Sequence, residues 1–219
     1  MKQHVYSRLL HSLVFIFAVF VSTAFAARIV DFDTSATDPS YSWRLAGTGN
    51  DVTMAMTVNN LGIEELVLNL RAGTVFAPSG SNVQRMLLRT DLVVRIPSGQ
   101  SRTQSLPVLC MDIRKDPPST SDCSWNIRRD TDMAKFLDFT GTLASQLAEE
   151  IRTRGERIPL AQDDLRHQIE RYSVWRYNGA SQEDIGKFLS DYGKDTDSNA
   201  HAAMLTQMAD LVIQMYRAQ

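Results

Sequence analysis

Residues 52–70 read VTMAMTVNNLGIEELVLNL and carry the clearest structural pattern in the chain. Apolar side chains such as Met54 and Met56 occupy every second position up to residue 58, which is the pattern of a half-buried strand. Residues 59–62, NNLG, predict a turn. Alternation then resumes over 63–70, so this segment predicts two strands joined by a tight connection.

The same alternation continues on both sides of this segment. The extended segment continues over 73–76, further strands are predicted at 83–90, 91–96 and 103–111, and 28–33 with 41–45 adds one or two more. Six or seven short strands at intervals of about ten residues, with no helical periodicity between them, are typical of an antiparallel β-sandwich. We expect an immunoglobulin-like topology without the Cys-Trp-Cys core of antibody domains. The predicted fold class is α+β, with this sandwich followed by a C-terminal helical segment.

The apolar period changes to 3.6 residues from Asp130 onward, which predicts about four amphipathic helices. Asp130 is a candidate N-cap of the first helix, and Ser181 with Asp184 resembles a capping box. The predicted organisation is a leader at 1–26, a sandwich at 27–125 and a helical segment at 126–219. The apolar helix faces need a partner, which either the sheet or the other helices would provide.

Residues 1–26 read as a secretory signal peptide. Lys2 and Arg8 form a basic region, 13–21 is a short apolar run, and Ala24-Phe25-Ala26 is a small-x-small cleavage site. The mature chain would begin near Ala27, in the periplasm or outside the cell. We expect no integral membrane span after cleavage, because no comparably long apolar run follows.

The net charge of the chain narrows the classes of partner that it could bind. Without the leader, the chain has 21 Lys and Arg residues against 25 Asp and Glu residues. This slightly acidic balance argues against a nucleic-acid partner and against a polybasic membrane contact. A protein of the envelope or cell surface is the expected partner.

Two cysteines, Cys110 and Cys123, enclose a polar segment rich in proline and serine. An even pair in an exported chain predicts a disulfide. Closing a loop of about 14 residues would contribute about 3 kcal/mol through the unfolded state. A redox-active pair usually has its thiols two residues apart, and this spacing does not match.

Catalysis has little support in the sequence. The mature chain retains only His167 and His201, and it contains neither a Gly-x-Ser-x-Gly elbow nor a His-Glu-x-x-His motif. We therefore predict a non-enzyme with no catalytic residues and no cofactor. An envelope hydrolase that uses a pair of carboxylates remains an alternative, since such pairs have no local sequence signature.

Asp195, Asp197 and Asn199 have the one, three and five spacing of a calcium-binding loop. Ala200 stands where the loop needs glycine, and Thr206 stands where it needs a bidentate glutamate. A helix cap and linker is the preferred interpretation. A calcium-responsive module is kept as a second alternative.

Two segments are candidates for binding a partner protein. Arg114, Pro117 and Pro118 lie between the cysteines, where the prolines would stiffen a rim loop. Arg176 and Tyr177 follow the aromatic pair Tyr172 and Trp175 at a helix end, and these residue types dominate binding hot spots. The expected function is therefore that of an exported binding or assembly protein.

Four short motifs resemble those of thioester-type adhesion domains of secreted bacterial surface proteins. They are Gly73-Thr74-Val75-Phe76, Val83-Gln84-Arg85-Met86, Cys110 with the prolines after it, and Tyr172-Ser173-Val174-Trp175. The chain departs from the family at Arg171, where a thioester-forming glutamine is expected, and Cys110 has a second cysteine available. The resemblance implies an immunoglobulin-like fold and a binding role, without a thioester.

Overall fold

The computed structural model describes residues 27–48, 53–80, 82–119, 124–153, 162–192 and 198–219. Within these ranges the protein is a mixed α+β structure with two β-sheets followed by four helices. The predicted leader lies outside the described residues, so its cleavage stays a prediction.

Nine strands are described. They are β1 Arg28–Asp31, β2 Tyr41–Gly47, β3 Thr53–Asn60, β4 Leu66–Leu70, β5 Thr74–Pro78, β6 Met86–Leu88, β7 Leu92–Ile96, β8 Ser101–Cys110 and β9 Trp125–Arg129. A single helical turn, α1 at Phe32–Ser35, follows β1 where the sequence predicted continued strand. Strands β1-β4-β7 form one sheet in that order, and β2-β3-β8-β6-β5-β9 form the other.

The described strands pair antiparallel with one exception. β1 runs parallel to β4, with Ile29 opposite Val67. The prediction of sheets with antiparallel pairing is confirmed for the remaining pairs. The immunoglobulin-like topology is not confirmed by this strand order.

The inner faces of both sheets meet in one hydrophobic core. From the three-stranded sheet come Leu68 and Val94, which are directly opposite each other on neighbouring strands. From the six-stranded sheet come the inner rows that include Met56 and Val108. The alternating positions of the sequence therefore fill this layer, as the period of two predicts.

Four helices follow the strands. They are α2 Thr131–Thr153, α3 Gln162–Tyr177, α4 Gln182–Tyr192 and α5 Ser198–Arg217. Asp130 caps α2, because its Oδ1 accepts a hydrogen bond from the backbone N–H of Met133 at 3.0 Å. The Ser181–Asp184 capping box is confirmed, since each side chain accepts a hydrogen bond from the backbone N–H of the other.

The helices cover the outer face of the six-stranded sheet where β5, β6 and the end of β8 lie. Val75, Leu87 and Leu109 lie opposite one another on β5, β6 and β8, and they share a second hydrophobic cluster with α2, α3 and α5. Tyr172 and Trp175 of α3 are fully buried in the strand core itself, as their helical spacing predicted. The helical segment thus packs on the strands, and β9 extends across the predicted boundary at residue 125.

Candidate functional site

Exposed aliphatic side chains concentrate on one sheet. The large hydrophobic residues with high exposure in the described ranges are Ile29 (68%), Leu61 (64%), Ile63 (86%), Val93 (61%), Leu211 (44%) and Met215 (43%). The first four lie on the three-stranded sheet or on the loop that enters it at 61–65, and we call these four residues the sheet surface. Grouped exposed aliphatics mark interaction sites more often than scattered ones do.

The entry loop is held in one conformation by Asn60, which is only 4% exposed. Its Nδ2 donates to the carbonyl oxygens of Glu64 at 2.7 Å and Ile96 at 3.0 Å, and its Oδ1 accepts from the N–H of Gly62 at 2.9 Å. Ser98 Oγ also donates to the Gly62 carbonyl at 2.8 Å. Hydrogen bonds between the side chains of Asn60 and Ser98 and the backbone thus fix this loop, and the side chains of Leu61 and Ile63 are left to solvent.

Strand β1 leaves one backbone edge open. The Arg28 N–H donates to the Glu65 carbonyl at 2.8 Å, toward β4. Since backbone groups alternate in direction along a strand, the N–H and C=O of Ile29 point away from β4. Among the described strands, β4 is the only one that pairs with β1. This edge can therefore accept an added strand.

An ion pair anchors the start of β1. Arg28 pairs with Asp38, whose pKa is lowered first by the hydrogen bond from the backbone N–H of Ser40 and then by Arg28. Arg28, Asn60 and Ile63 line a depression of about 250 Å³ beside the entry loop. The sheet surface therefore combines apolar side chains, an open backbone edge and a fixed loop.

Arg114 is engaged within the chain. Its Nε and Nη2 donate to the two carboxylate oxygens of Asp184, each at 2.7 Å. This bond to Arg114 lowers the pKa of Asp184, and the hydrogen bonds from Ser181 add to the effect. Arg114 thereby joins the segment after β8 to the N-terminus of α4, although 72% of its side chain remains exposed.

The proline segment lies against the strands. Pro118 is buried and Pro117 is half-buried. A side chain at Gly47 would meet the Pro118 carbonyl oxygen at 1.8 Å, so only glycine allows this approach. Asp112 forms a fork with Arg85, and the Arg85 hydrogen bonds lower the Asp112 pKa although burial alone would raise it. Most of this segment is thus tied to its surroundings.

Arg176 and Tyr177 join helices. Arg176 donates to both carboxylate oxygens of Asp210 at 2.8 and 3.0 Å, which ties α3 to α5. Tyr177 stacks on Phe136 of α2 with ring centroids 4.4 Å apart. Partner binding by these residues and by the proline segment is untested and stays a prediction, but their contacts already have structural roles.

Two predicted sites lie partly or wholly outside the described residues. Cys110 is buried at the end of β8, whereas Cys123 is not described, so the disulfide stays a prediction. Asp195 and Asp197 are also outside the described ranges, and Asn199 is known only as part of α5. Within those ranges no cluster of His, Cys, Asp or Glu could hold a metal ion.

A polar cleft of about 530 Å³ separates the strand turns from α2 and α3. Glu170 of α3, with 3% of its side chain exposed, accepts hydrogen bonds from Arg89 after β6 and from Arg166 of α3. Asp91 and Asp138 also line the cleft. The carboxylates of Glu170, Asp91 and Asp138 thus line the same cleft, but both oxygens of Glu170 accept hydrogen bonds from arginine. The carboxylate-pair hydrolase stays an untested alternative.

Sequence reasoning missed both the polar cleft and the sheet surface. Arg89 and Glu170 are 81 positions apart, and no local motif links them. The sheet surface did leave a signal at Leu61, an aliphatic residue in the predicted turn at 59–62, where polar residues are the rule.

Comparison with known proteins gives no match to any family model, to any curated protein or to any solved structure. The resemblance to thioester-type adhesion domains therefore stays a prediction. The structure places Arg171 in a buried aromatic setting, with its guanidinium 5.2 Å from the ring centroid of Trp175. No helix in the described ranges has both the length and the apolar character needed to span a membrane.

Proposed function

We propose that this chain is an exported, non-catalytic binding or assembly protein of the bacterial cell envelope, periplasmic or secreted. It recognises a protein partner through the sheet surface. The observation that carries the proposal is the concentration of Ile29, Leu61, Ile63 and Val93, each at least 61% exposed, on one sheet and its entry loop. The leader-like sequence at 1–26 supports export.

The partner we propose is an extended, aliphatic segment of another envelope protein. Such a segment would add to the open edge of β1 by pairing with the backbone of Ile29, and its apolar side chains would cover Ile29 and the entry loop. The loop is already fixed by Asn60, so little ordering entropy would be lost when the segment binds. An immunoglobulin-like sandwich remains part of this proposal, supported by the core that the two sheets share.

Affinity capture from cross-linked envelope extract would test the proposal, using the mature chain with a C-terminal tag. Ile63→Asp places a charge in the proposed interface, while the backbone bonds of the loop remain. Ile29→Pro removes an N–H that faces the open edge and leaves the pairing to β4. Leu211→Asp on α5 is the matched control, because it charges an exposed aliphatic residue elsewhere.

We expect Ile63→Asp and Ile29→Pro each to reduce recovery of a defined partner by about tenfold, equal to about 1.4 kcal/mol. Recovery with Leu211→Asp should match wild type. Equal recovery with all variants would contradict the proposal, as would equal losses in all three. Wild type that enriches no protein while its circular dichroism is native would also overturn it.

A further inference from the structure

The polar cleft between the strand turns and the helices has unused binding capacity. Arg89 and Arg166 each donate to Glu170 through Nε. Within the described part of the chain, the terminal nitrogens of both guanidiniums have no protein acceptor. The side chains of Arg89 and Arg166 are 23% and 41% exposed, respectively. Two cationic forks thus line the cleft with their outer donors available.

Glu170 explains why two arginines can lie side by side here. Its buried carboxylate neutralises one of the two charges and fixes both guanidiniums by hydrogen bonds. One net positive charge remains on this wall. A ligand carboxylate would neutralise this charge, and the guanidinium fork matches two carboxylate oxygens.

The rest of the cleft has the opposite charge. Asp91 and Asp138 line it from the strand turn and from α2, and both are exposed. Asp91 accepts a hydrogen bond from the backbone N–H of Ala72 at 2.6 Å, which fixes its position. Asp138 has no partner for its carboxylate among the residues that the structure describes. A protonated amine is the group that such carboxylates attract.

The floor of the cleft is suited to a small ligand. It follows one face of α2 from Ala134 through Gly141 to Ser145, a rise of about 16 Å along the helix. Gly141 lies close to the carboxylate, since a Cβ there would stand 3.6 Å from Glu170 Oε1. The volume of about 530 Å³ is within the usual range for small-molecule sites.

We infer that this cleft binds a small zwitterion, a free α-amino acid or a short peptide. The carboxylate of the ligand pairs with the terminal nitrogens of Arg89 and Arg166. Its amine lies near Asp138 or Asp91. This site is on a different surface from the one proposed for a partner protein, and neither inference depends on the other.

Isothermal titration with L-alanyl-L-alanine as the probe would test the inference on the full mature chain. We expect binding with a Kd of about 1 mM or tighter. The N-acetylated dipeptide and the C-terminal amide should each bind at least about fivefold more weakly, since each lacks one charge. Free L-alanine, run in parallel, distinguishes a site for amino acids from one for peptides.

Single substitutions would show whether the dipeptide binds in this cleft. Arg166→Gln should weaken binding of the dipeptide about tenfold, while Arg152→Gln, an exposed arginine of α2 paired with Glu149, should leave it unchanged. Asp138→Asn is a second variant that breaks no described contact. It should weaken binding of the dipeptide but not of its N-acetylated form.

Three results would overturn the inference. The first is no heat of binding for dipeptide or amino acid with natively folded wild type. The second is equal affinity for charged and capped probes. The third is full binding by Arg166→Gln and Asp138→Asn, each shown by circular dichroism to be folded.

Discussion

The outer faces of the two sheets carry similar cross-strand rows in different surroundings. On the six-stranded sheet, Val75, Leu87 and Leu109 are opposite one another and buried beneath helices. On the three-stranded sheet, Ile29 and Val67 are opposite each other in the same way, and Val67 is only 4% exposed, whereas Ile29 on the edge strand is 68% exposed. A row of aliphatic side chains therefore does not reveal whether the same chain will cover it.

The burial pattern along the strands shows this difference. Where both faces are buried, alternation disappears, as in Met-Leu-Leu of β6, whose three residues are all buried. β7 keeps the alternation, with Val94 buried and its neighbour Val93 61% exposed. A continuous apolar run thus marks a strand that is covered on both faces, and such runs occur in β6 of one sheet and at the start of β4 in the other.

Truncation of one residue on each face should give the largest contrast. Leu87→Ala opens a cavity under the helices and should lower the free energy of unfolding by about 2–5 kcal/mol. Val93→Ala removes methyl groups that solvent already contacts, and it should cost about 0.5 kcal/mol or less. Urea denaturation followed by circular dichroism measures both. Similar losses would mean that the two faces do not differ as described.

Substitutions at two glycines would compare how tightly the chain is packed beside α2 and beside the three-stranded sheet. Gly73 and Gly99 both have positive φ, 85° and 67°, so alanine is strained at either position. A Cβ at Gly73 would also stand 2.5 Å from the Ala134 Cβ at the start of α2, whereas nothing lies within 4 Å at Gly99.

Gly99→Ala should therefore cost about 1 kcal/mol through the backbone alone. Gly73→Ala should cost about 2–3 kcal/mol, because α2 must also shift. Thermal and chemical unfolding of both variants would separate the two contributions. An equal cost would show that α2 does not press on this turn.

A further prediction concerns attachment of α4 on the helical side. The folded-state pKa of Asp184 lies below its ordinary value of 3.8, so its carboxylate stabilises the fold above that pH. This contribution is lost as the pH falls below 3.8 toward the folded-state pKa. Asp184→Asn should cost about 1 kcal/mol at neutral pH, the usual value of a helix cap.

Unfolding curves of wild type and Asp184→Asn from neutral pH down to acid would test this sign. The gap between them should stay constant at neutral pH and narrow on acidification through the ordinary pKa of 3.8. A gap that widens as the pH falls would contradict the assignment. Lys187→Ala in the same helix, which breaks an exposed pair with Asp191, is the matched control.

Local patterns predicted much of the fold. Alternation located most strands, the 3.6-residue period located the helices, and Asp130 and Ser181 marked two helix starts. Each of these signals depends on neighbours within a few positions in the chain.

Structural features that depend on residues far apart in the sequence could not be predicted. β9 is short, and its Arg128 and Arg129 mask the alternation of Trp125 and Ile127, so only its pairing with β5 defines it. The parallel pairing of β1 with β4 is likewise a long-range choice. The cleft unites residues that only the folded chain brings together. The sequence predicted a turn at 59–62, but Asn59 and Asn60 belong to β3, and the connection at 61–65 leads to β4 in the other sheet.

The position of β1 has a consequence for maturation. The strand begins at Arg28, only two residues after the predicted cleavage site at Ala26, and it is four residues long. Processing at this bond leaves the whole strand, including the Arg28 N–H that bonds to Glu65 and the side chain that pairs with Asp38. Cleavage two residues further along would remove Arg28. If the leader is cleaved as the sequence predicts, the accuracy of the peptidase decides whether the mature protein keeps Arg28 and its two contacts at the start of this edge strand.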